Sequence, residues 1–142
     1  MKRLYVLLTM FLFASLSVYS QKHEWLSYNT STSGLPSNRV LSITIDGSGN
    51  KWVGTERGLA KFDGTNWMVY NKANSGLPNN NVNSISIDSS GAKWIGTGNY
   101  DMDGSGGLAK FDGTNWTVYN SKNSALPSNE VHSIAIDGSG NK

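Results

Sequence analysis

Short segments of alternating apolar and polar residues run along most of the chain, with turn residues between them. Residues 40–45 read Val-Leu-Ser-Ile-Thr-Ile, and similar short segments follow at 51–55, 59–62 and 67–70. A period of two predicts β-strands. The Asp, Gly, Asn and Ser residues between the segments favour tight turns. Since no segment has helical periodicity, the pattern predicts four short strands joined by hairpins.

The same pattern returns further along the chain. The sequence GLAKFDGTNW occupies residues 58–67 and again residues 107–116. Asp46 recurs as Asp88 after 42 residues and as Asp137 after another 49. A repeat period in the low forties with four strands in each unit is typical of the blades of a β-propeller.

We therefore predict an all-β fold made of β-propeller blades, each with four antiparallel strands. The predicted parts are a signal peptide at 1–20 and a partial propeller at 21–142, with an orphan outer strand at 25–28, blades at 39–71 and 81–120, and the start of a third blade at 130–142. A closed propeller has about four to eight blades. The expectation is therefore an incomplete fragment of a closed propeller.

The N-terminus predicts export. Lys2 and Arg3 precede a mostly apolar stretch from Leu4 to Val18, which is typical of a signal peptide. The alternative, a membrane anchor, needs about 20 apolar residues. Without Lys2 and Arg3 the basic and acidic residues are equal in number, which argues against a nucleic-acid partner. The absence of cysteine excludes disulfides and thiol catalysis. We expect a periplasmic or secreted protein.

Two segments resemble the two-component regulator propeller repeats. They run from Asp46 to Thr55, followed by Gly58-Leu59, and from Asp88 to Thr97, followed by Gly107-Leu108. The resemblance implies an exported sensory or ligand-binding propeller. Many members form the periplasmic sensor half of membrane-spanning histidine kinases that respond to oligosaccharides, and others are secreted without a kinase. The expected partners are an oligosaccharide or other small molecule, a kinase region in a longer parent protein, and a second copy of the chain.

The repeat copies differ mainly on one face of the predicted disc. The turns after the first and third strands are nearly unchanged between copies, whereas the loops at the opposite face vary. Variable loops on a constant framework are where binding usually occurs. The predicted ligand-binding residues are Arg39, Asn81, Asn83, Tyr100, Glu130 and His132. The alternative is a set of solvated loops that vary without a function.

A seven-residue insertion precedes Gly107 in the second copy. It places oxygen-bearing side chains at alternate positions, with a glycine next, as in the first half of a calcium loop. The candidate metal ligands are Asn99, Asp101 and Asp103. Lys110 stands where such a loop would have its final acid, so calcium binding is expected to be weak unless Glu56, Glu130 or a backbone carbonyl completes the ligand shell. The alternatives are an acidic hairpin tip and a sugar-contacting loop around Tyr100, and no other cofactor is predicted.

Most of the aromatic residues follow the repeat. Trp52 and Trp94 share one position, and Trp25, Trp67 and Trp116 share another. Rings that recur with the period are expected to form the core. No catalytic motif is present, so we expect no enzyme. The leading hypothesis is a sensory binding module, the alternative is a secreted propeller that docks proteins, and an enzyme acting on polysaccharide ranks last.

Overall fold

The computed structural model describes residues 25–99 and 104–142, and its regular structure there is β-sheet. The strands are β1 (Val40–Ile45), β2 (Lys51–Thr55), β3 (Gly58–Phe62), β4 (Trp67–Tyr70), β5 (Val82–Ile87), β6 (Lys93–Gly98), β7 (Gly106–Phe111) and β8 (Trp116–Tyr119). Across these two ranges we find no helix with the length and hydrophobicity needed to span a membrane.

The strands form two antiparallel sheets, each with its four strands in chain order. Blade 1 contains β1 to β4 and blade 2 contains β5 to β8. Both blades fall within the predicted ranges 39–71 and 81–120. The all-β fold of four-stranded blades in an unclosed arrangement is therefore confirmed.

The turn after the first strand of each blade is held by an aspartate. Asp46 accepts hydrogen bonds from the backbone N–H groups of Ser48 and Asn50, and from Nε1 of Trp52 at 2.9 Å. Desolvation raises the pKa of Asp46, but the hydrogen bonds from Trp52 and Asn50 outweigh it and lower that pKa to about 2. Asp88 holds Trp94 in the same way, at 2.7 Å. The repeated aspartates are structural, as their place before Gly-rich turns predicts.

One hydrophobic core joins the two blades. Trp52 and Leu59 of blade 1 pack in the same cluster as Ile85 and Phe111 of blade 2. Only 2% of Trp52 is exposed, and its ring meets that of Phe111 edge-on at 6.2 Å. The backbone N–H of Ile85 donates to Oγ of Ser42 across the boundary. The predicted core role of the repeated tryptophans is correct for Trp52.

The two predicted outer segments contain no assigned strand. Residues 25–28 form no sheet ladder, and Trp25 is 99% exposed, so it does not share the packing of its repeat counterparts. Residues 130–136 also lack a ladder. They nevertheless lie against blade 2, because the N–H of Val131 donates to the carbonyl of Thr97 and that of Ile134 to Oγ of Ser84.

Candidate functional site

A β-bulge begins the first strand of each blade. Val40 pairs with Thr55 and Ser42 pairs with Gly54, so Leu41 between them has no partner in the ladder. Asn83 occupies the same unpaired position in β5. Bulges re-aim side chains and are common beside functional sites. Both bulge residues contribute to the cavity described next.

A cavity of about 560 Å³ opens where the starts of the first strands meet the connections between second and third strands. We call it the mouth cavity. Its lining residues are Arg39, Leu41, Glu56, Arg57, Asn81, Asn83, Asn99, Glu130 and His132. They come from both blades and from the start of the third repeat. The side chains that vary between the repeat copies therefore converge on one site.

Two asparagine side chains at the centre of this lining are held in fixed orientations. Nδ2 of Asn83 donates to the carbonyls of Gly98 and Val131, at 2.8 and 3.1 Å. Nδ2 of Asn81 donates to the same Gly98 carbonyl and to Oδ1 of Asn83. Because backbone carbonyls only accept, they determine which way each amide points. Oδ1 of Asn81 accepts no hydrogen bond from the described residues and is available to a ligand.

Charged side chains form two close contacts around the amides. Nη1 of Arg39 lies 3.6 Å from Oε2 of Glu56, whose Oε1 also accepts a hydrogen bond from Ser37. Nε2 of His132 lies 3.4 Å from Oε1 of Glu130. Both contacts include an exposed partner, with Arg39 73% and His132 61% exposed, so they contribute little to stability.

The structure brings most of the predicted site residues together. Five of the six predicted ligand contacts line the mouth cavity, namely Arg39, Asn81, Asn83, Glu130 and His132. Asn99, predicted as a metal ligand, lines the same cavity. Tyr100, Asp101 and Asp103 lie outside the described residues. No group of three or more His, Asp or Glu side chains that could hold a metal forms within 25–99 and 104–142, and calcium binding by the insertion stays a prediction.

Comparison of the repeat copies within the chain missed three lining residues as ligand contacts, namely Leu41, Glu56 and Arg57. Glu56 and Arg57 form the short connection between β2 and β3. This connection occupies the same place in blade 1 as the seven-residue insertion does in blade 2. Arg57 is exposed, and its guanidinium makes no hydrogen bond or ion pair with the described residues. Glu56 and Arg57 lie in a connection whose length differs between the repeat copies, and that difference was the signal that could have identified them.

Comparison with known families agrees with the repeat pattern. The sequence model described as two component regulator propeller matches residues 34–57 and 76–99. The two matched segments are similar to two-component regulator propeller repeats. Each matched segment runs from the loop before a blade's first strand to the end of its second strand, so it includes the bulge and much of the cavity lining. The resemblance stated from the sequence is confirmed.

A solved structure shows the same architecture. The chain resembles the extracellular domain of a protein described as a hybrid two-component system from B. thetaiotaomicron, with 29% identity and a TM-score of 0.68. The match covers 82% of this chain and 15% of that one, so the chain spans a small part of that relative's length. No curated protein sequence matches the chain.

Proposed function

We propose that this chain belongs to an exported sensory propeller that binds an oligosaccharide in the mouth cavity and passes the signal to a two-component system. The repeat family and the likeness to an extracellular domain of a hybrid two-component system support this role. The same likeness supports a periplasmic or secreted location and a kinase as the downstream partner. Binding shifts the balance between conformations, and no bond in the ligand is broken.

The observation that carries the proposal is the fixed pair of amides, Asn81 and Asn83. Their orientation is set by backbone carbonyls before any ligand arrives. Polar groups that are already oriented lose little conformational freedom on binding, and this saving increases affinity. A cavity of about 560 Å³ lies within the range of small-molecule sites.

The chemistry of the lining favours a hydroxyl-rich ligand. A sugar hydroxyl both donates and accepts, and here Oδ1 of Asn81 can accept while the guanidinium of Arg57 can donate. Leu41 is the one apolar side chain in the lining, and the lining contains no described Phe, Tyr or Trp. Recognition would therefore depend on hydrogen bonds from the described residues, with Tyr100 of the insertion as the predicted stacking partner.

Isothermal titration calorimetry with a panel of neutral and acidic oligosaccharides tests the proposal, with the protein in calcium and again in EDTA. Arg57→Ala is the most informative variant because Arg57 has no described partner whose loss would disturb folding. We expect it to weaken binding about tenfold, which corresponds to about 1.4 kcal/mol. Thr114→Ala, in the turn between β7 and β8 on the opposite face, is the matched control and should bind like the unmodified protein.

Two results would redirect the proposal. If no saccharide binds in either condition, the oligosaccharide assignment is wrong and the protein-docking alternative is favoured. If the bound saccharide is recovered shortened, as checked by chromatography after the titration, the propeller is an enzyme and His132 with Glu130 become the first candidates for acid–base chemistry.

A further inference from the structure

The charged and titratable residues in the lining of the mouth cavity lie on two of its sides. Blade 1 contributes Arg39, Glu56 and Arg57, and the start of the third repeat contributes Glu130 and His132. Blade 2 contributes only asparagines. Its strand β5 lies between β1 and residues 131–136 and forms hydrogen bonds with both. The cavity therefore has two charged sides and an uncharged middle.

The blade 1 side carries one positive charge that no described carboxylate balances. Oε1 of Glu56 accepts a hydrogen bond from Oγ of Ser37, and its Oε2 lies 3.6 Å from Nη1 of Arg39. Arg39 and Glu56 therefore offset each other. Arg57 follows Glu56 directly, yet its guanidinium makes no ion pair with a described residue. The charge of Arg57 is left for a ligand.

The backbone that carries Arg57 is held in place. The N–H of Arg57 donates to Oγ1 of Thr55 at 3.1 Å, and this hydroxyl donates to the carbonyl of Gly58 at 2.8 Å. Thr55 is completely buried. A guanidinium offers two parallel N–H donors that match the paired oxygens of a carboxylate or a sulfate ester. Arg57 is therefore an exposed anion-binding group on a fixed connection.

The opposite side of the cavity disfavours an anion. Oε1 of Glu130 lies 3.4 Å from Nε2 of His132, and the Glu130 side chain is 18% exposed. An anionic group of a ligand placed beside Glu130 would face a like charge. The same carboxylate can accept hydrogen bonds from neutral hydroxyls. The two sides therefore favour different ends of one ligand.

We propose that the oligosaccharide of the mouth cavity carries an anionic group, a carboxylate or a sulfate ester, that pairs with Arg57. Its neutral hydroxyls contact Oδ1 of Asn81 in the middle and Glu130 on the far side. This inference rests on the proposed function and adds to it the charge of the ligand and the direction in which the ligand lies.

Calorimetry of the full chain with matched saccharide pairs tests the charge. Tetrasaccharides of galacturonate, glucuronate, mannuronate and guluronate are compared with their carboxyl-reduced forms, and singly sulfated tetrasaccharides with their desulfated forms. We expect an acidic member to bind about tenfold more tightly than its neutral partner. The uronate and sulfate arms distinguish the two anions.

The two ways in which this titration can fail are distinct. If saccharides bind and every neutral partner binds as tightly as its acidic counterpart, the inference is wrong and the proposed function stands. If no saccharide of either kind binds, the proposed function is wrong and the inference fails with it.

Arg57→Gln tests whether Arg57 causes the preference for the acidic member. Glutamine keeps an N–H donor but has no charge, so the preference should fall below about twofold while the neutral partner binds as before. Lys51→Gln is the matched control, since it removes the same charge from an exposed residue at the other end of β2. A preference that survives in Arg57→Gln would overturn the assignment of the anion to Arg57.

Glu130→Gln tests the direction of the ligand. Because Glu130 is expected to contact neutral hydroxyls, its loss should weaken both members of a pair by the same factor and leave the preference within about twofold. If the variant instead raises the preference several-fold, the anion lies beside Glu130 and the proposed direction is wrong.

Discussion

The first strands of the two blades have nearly the same sequence and very different surroundings. β1 reads Val-Leu-Ser-Ile-Thr-Ile and β5 reads Val-Asn-Ser-Ile-Ser-Ile. Val82 is completely buried and Ile85 is 7% exposed, while Val40 is 46% and Ile43 is 65% exposed. Both strands pair in the same register with the next strand of their own blade.

The difference comes from a neighbour and not from the strand. β5 lies against blade 1, where Val82 packs over Gly54 and Ile85 joins the cluster around Trp52. No described blade covers β1 in this way. The apolar residues of a first strand can therefore be buried, but they become buried only where a preceding blade packs against the strand.

The largest expected effect is a difference in the free energy of unfolding between matched substitutions in β5 and β1. Ile85→Ala should lower the free energy of unfolding by about 3 kcal/mol, because it opens a cavity in the shared core. Ile43→Ala, at the same repeat position in β1, should cost less than about 1 kcal/mol. Urea unfolding followed by circular dichroism measures both. Equal losses would mean that β1 is covered in solution and would remove the contrast.

A smaller effect is expected at the loop that enters blade 2. Gly76→Ala places a methyl group against Trp116 and should cost about 2 kcal/mol by overpacking. Gly47→Ala is the control because nothing lies within 4 Å of the added carbon. Thermal unfolding of the two variants compares them. A tolerated Gly76→Ala would show that the contact between this loop and Trp116 can relax.

The smallest expected effect is a change in how the stability of the fold falls at low pH. Asp46 has a folded-state pKa lowered to about 2, and Asp137 a pKa lowered mainly by the Asn141 side chain. A lowered pKa stabilises the fold above the unfolded value near 4, and this stability is lost as pH falls from about 4 to about 2. Asp46→Asn should therefore flatten the loss of stability in that range.

The control for the acid effect is the aspartate of the third repeat. Asp137→Asn should flatten the profile less, because Asp137 accepts no hydrogen bond from a tryptophan of the described residues, whereas Asp46 accepts one from Trp52. Denaturant unfolding at pH 7, 4, 3 and 2 compares the two variants. If both behave alike, the bond from Trp52 contributes nothing measurable to the stability of blade 1.

Much of the site was predictable because the repeat copies within the chain can be compared with one another. Asn83 and His132 differ from Leu41 at one repeat position, and all three line the mouth cavity. The bulge that turns Leu41 and Asn83 out of the ladder was not predicted, since a one-residue break in the alternation of a six-residue strand is a weak signal. Arg57 was missed as a ligand contact because a short connection gives little signal until its spatial neighbours are known.

The sequence by itself determined the strands of the two blades, their turns and the blade as the repeating unit. These features depend on the alternation of apolar and polar residues, on hydrogen bonds that Asp side chains accept from nearby backbone N–H groups, and on glycine in the turns. All three act over a few residues. Only the tertiary structure decided that Asn81 and Asn83 are fixed by the carbonyls of Gly98 and Val131, and that Ile85 is buried while Ile43 is not. Those outcomes depend on groups more than ten residues away in the chain, and packing alone brings such groups together.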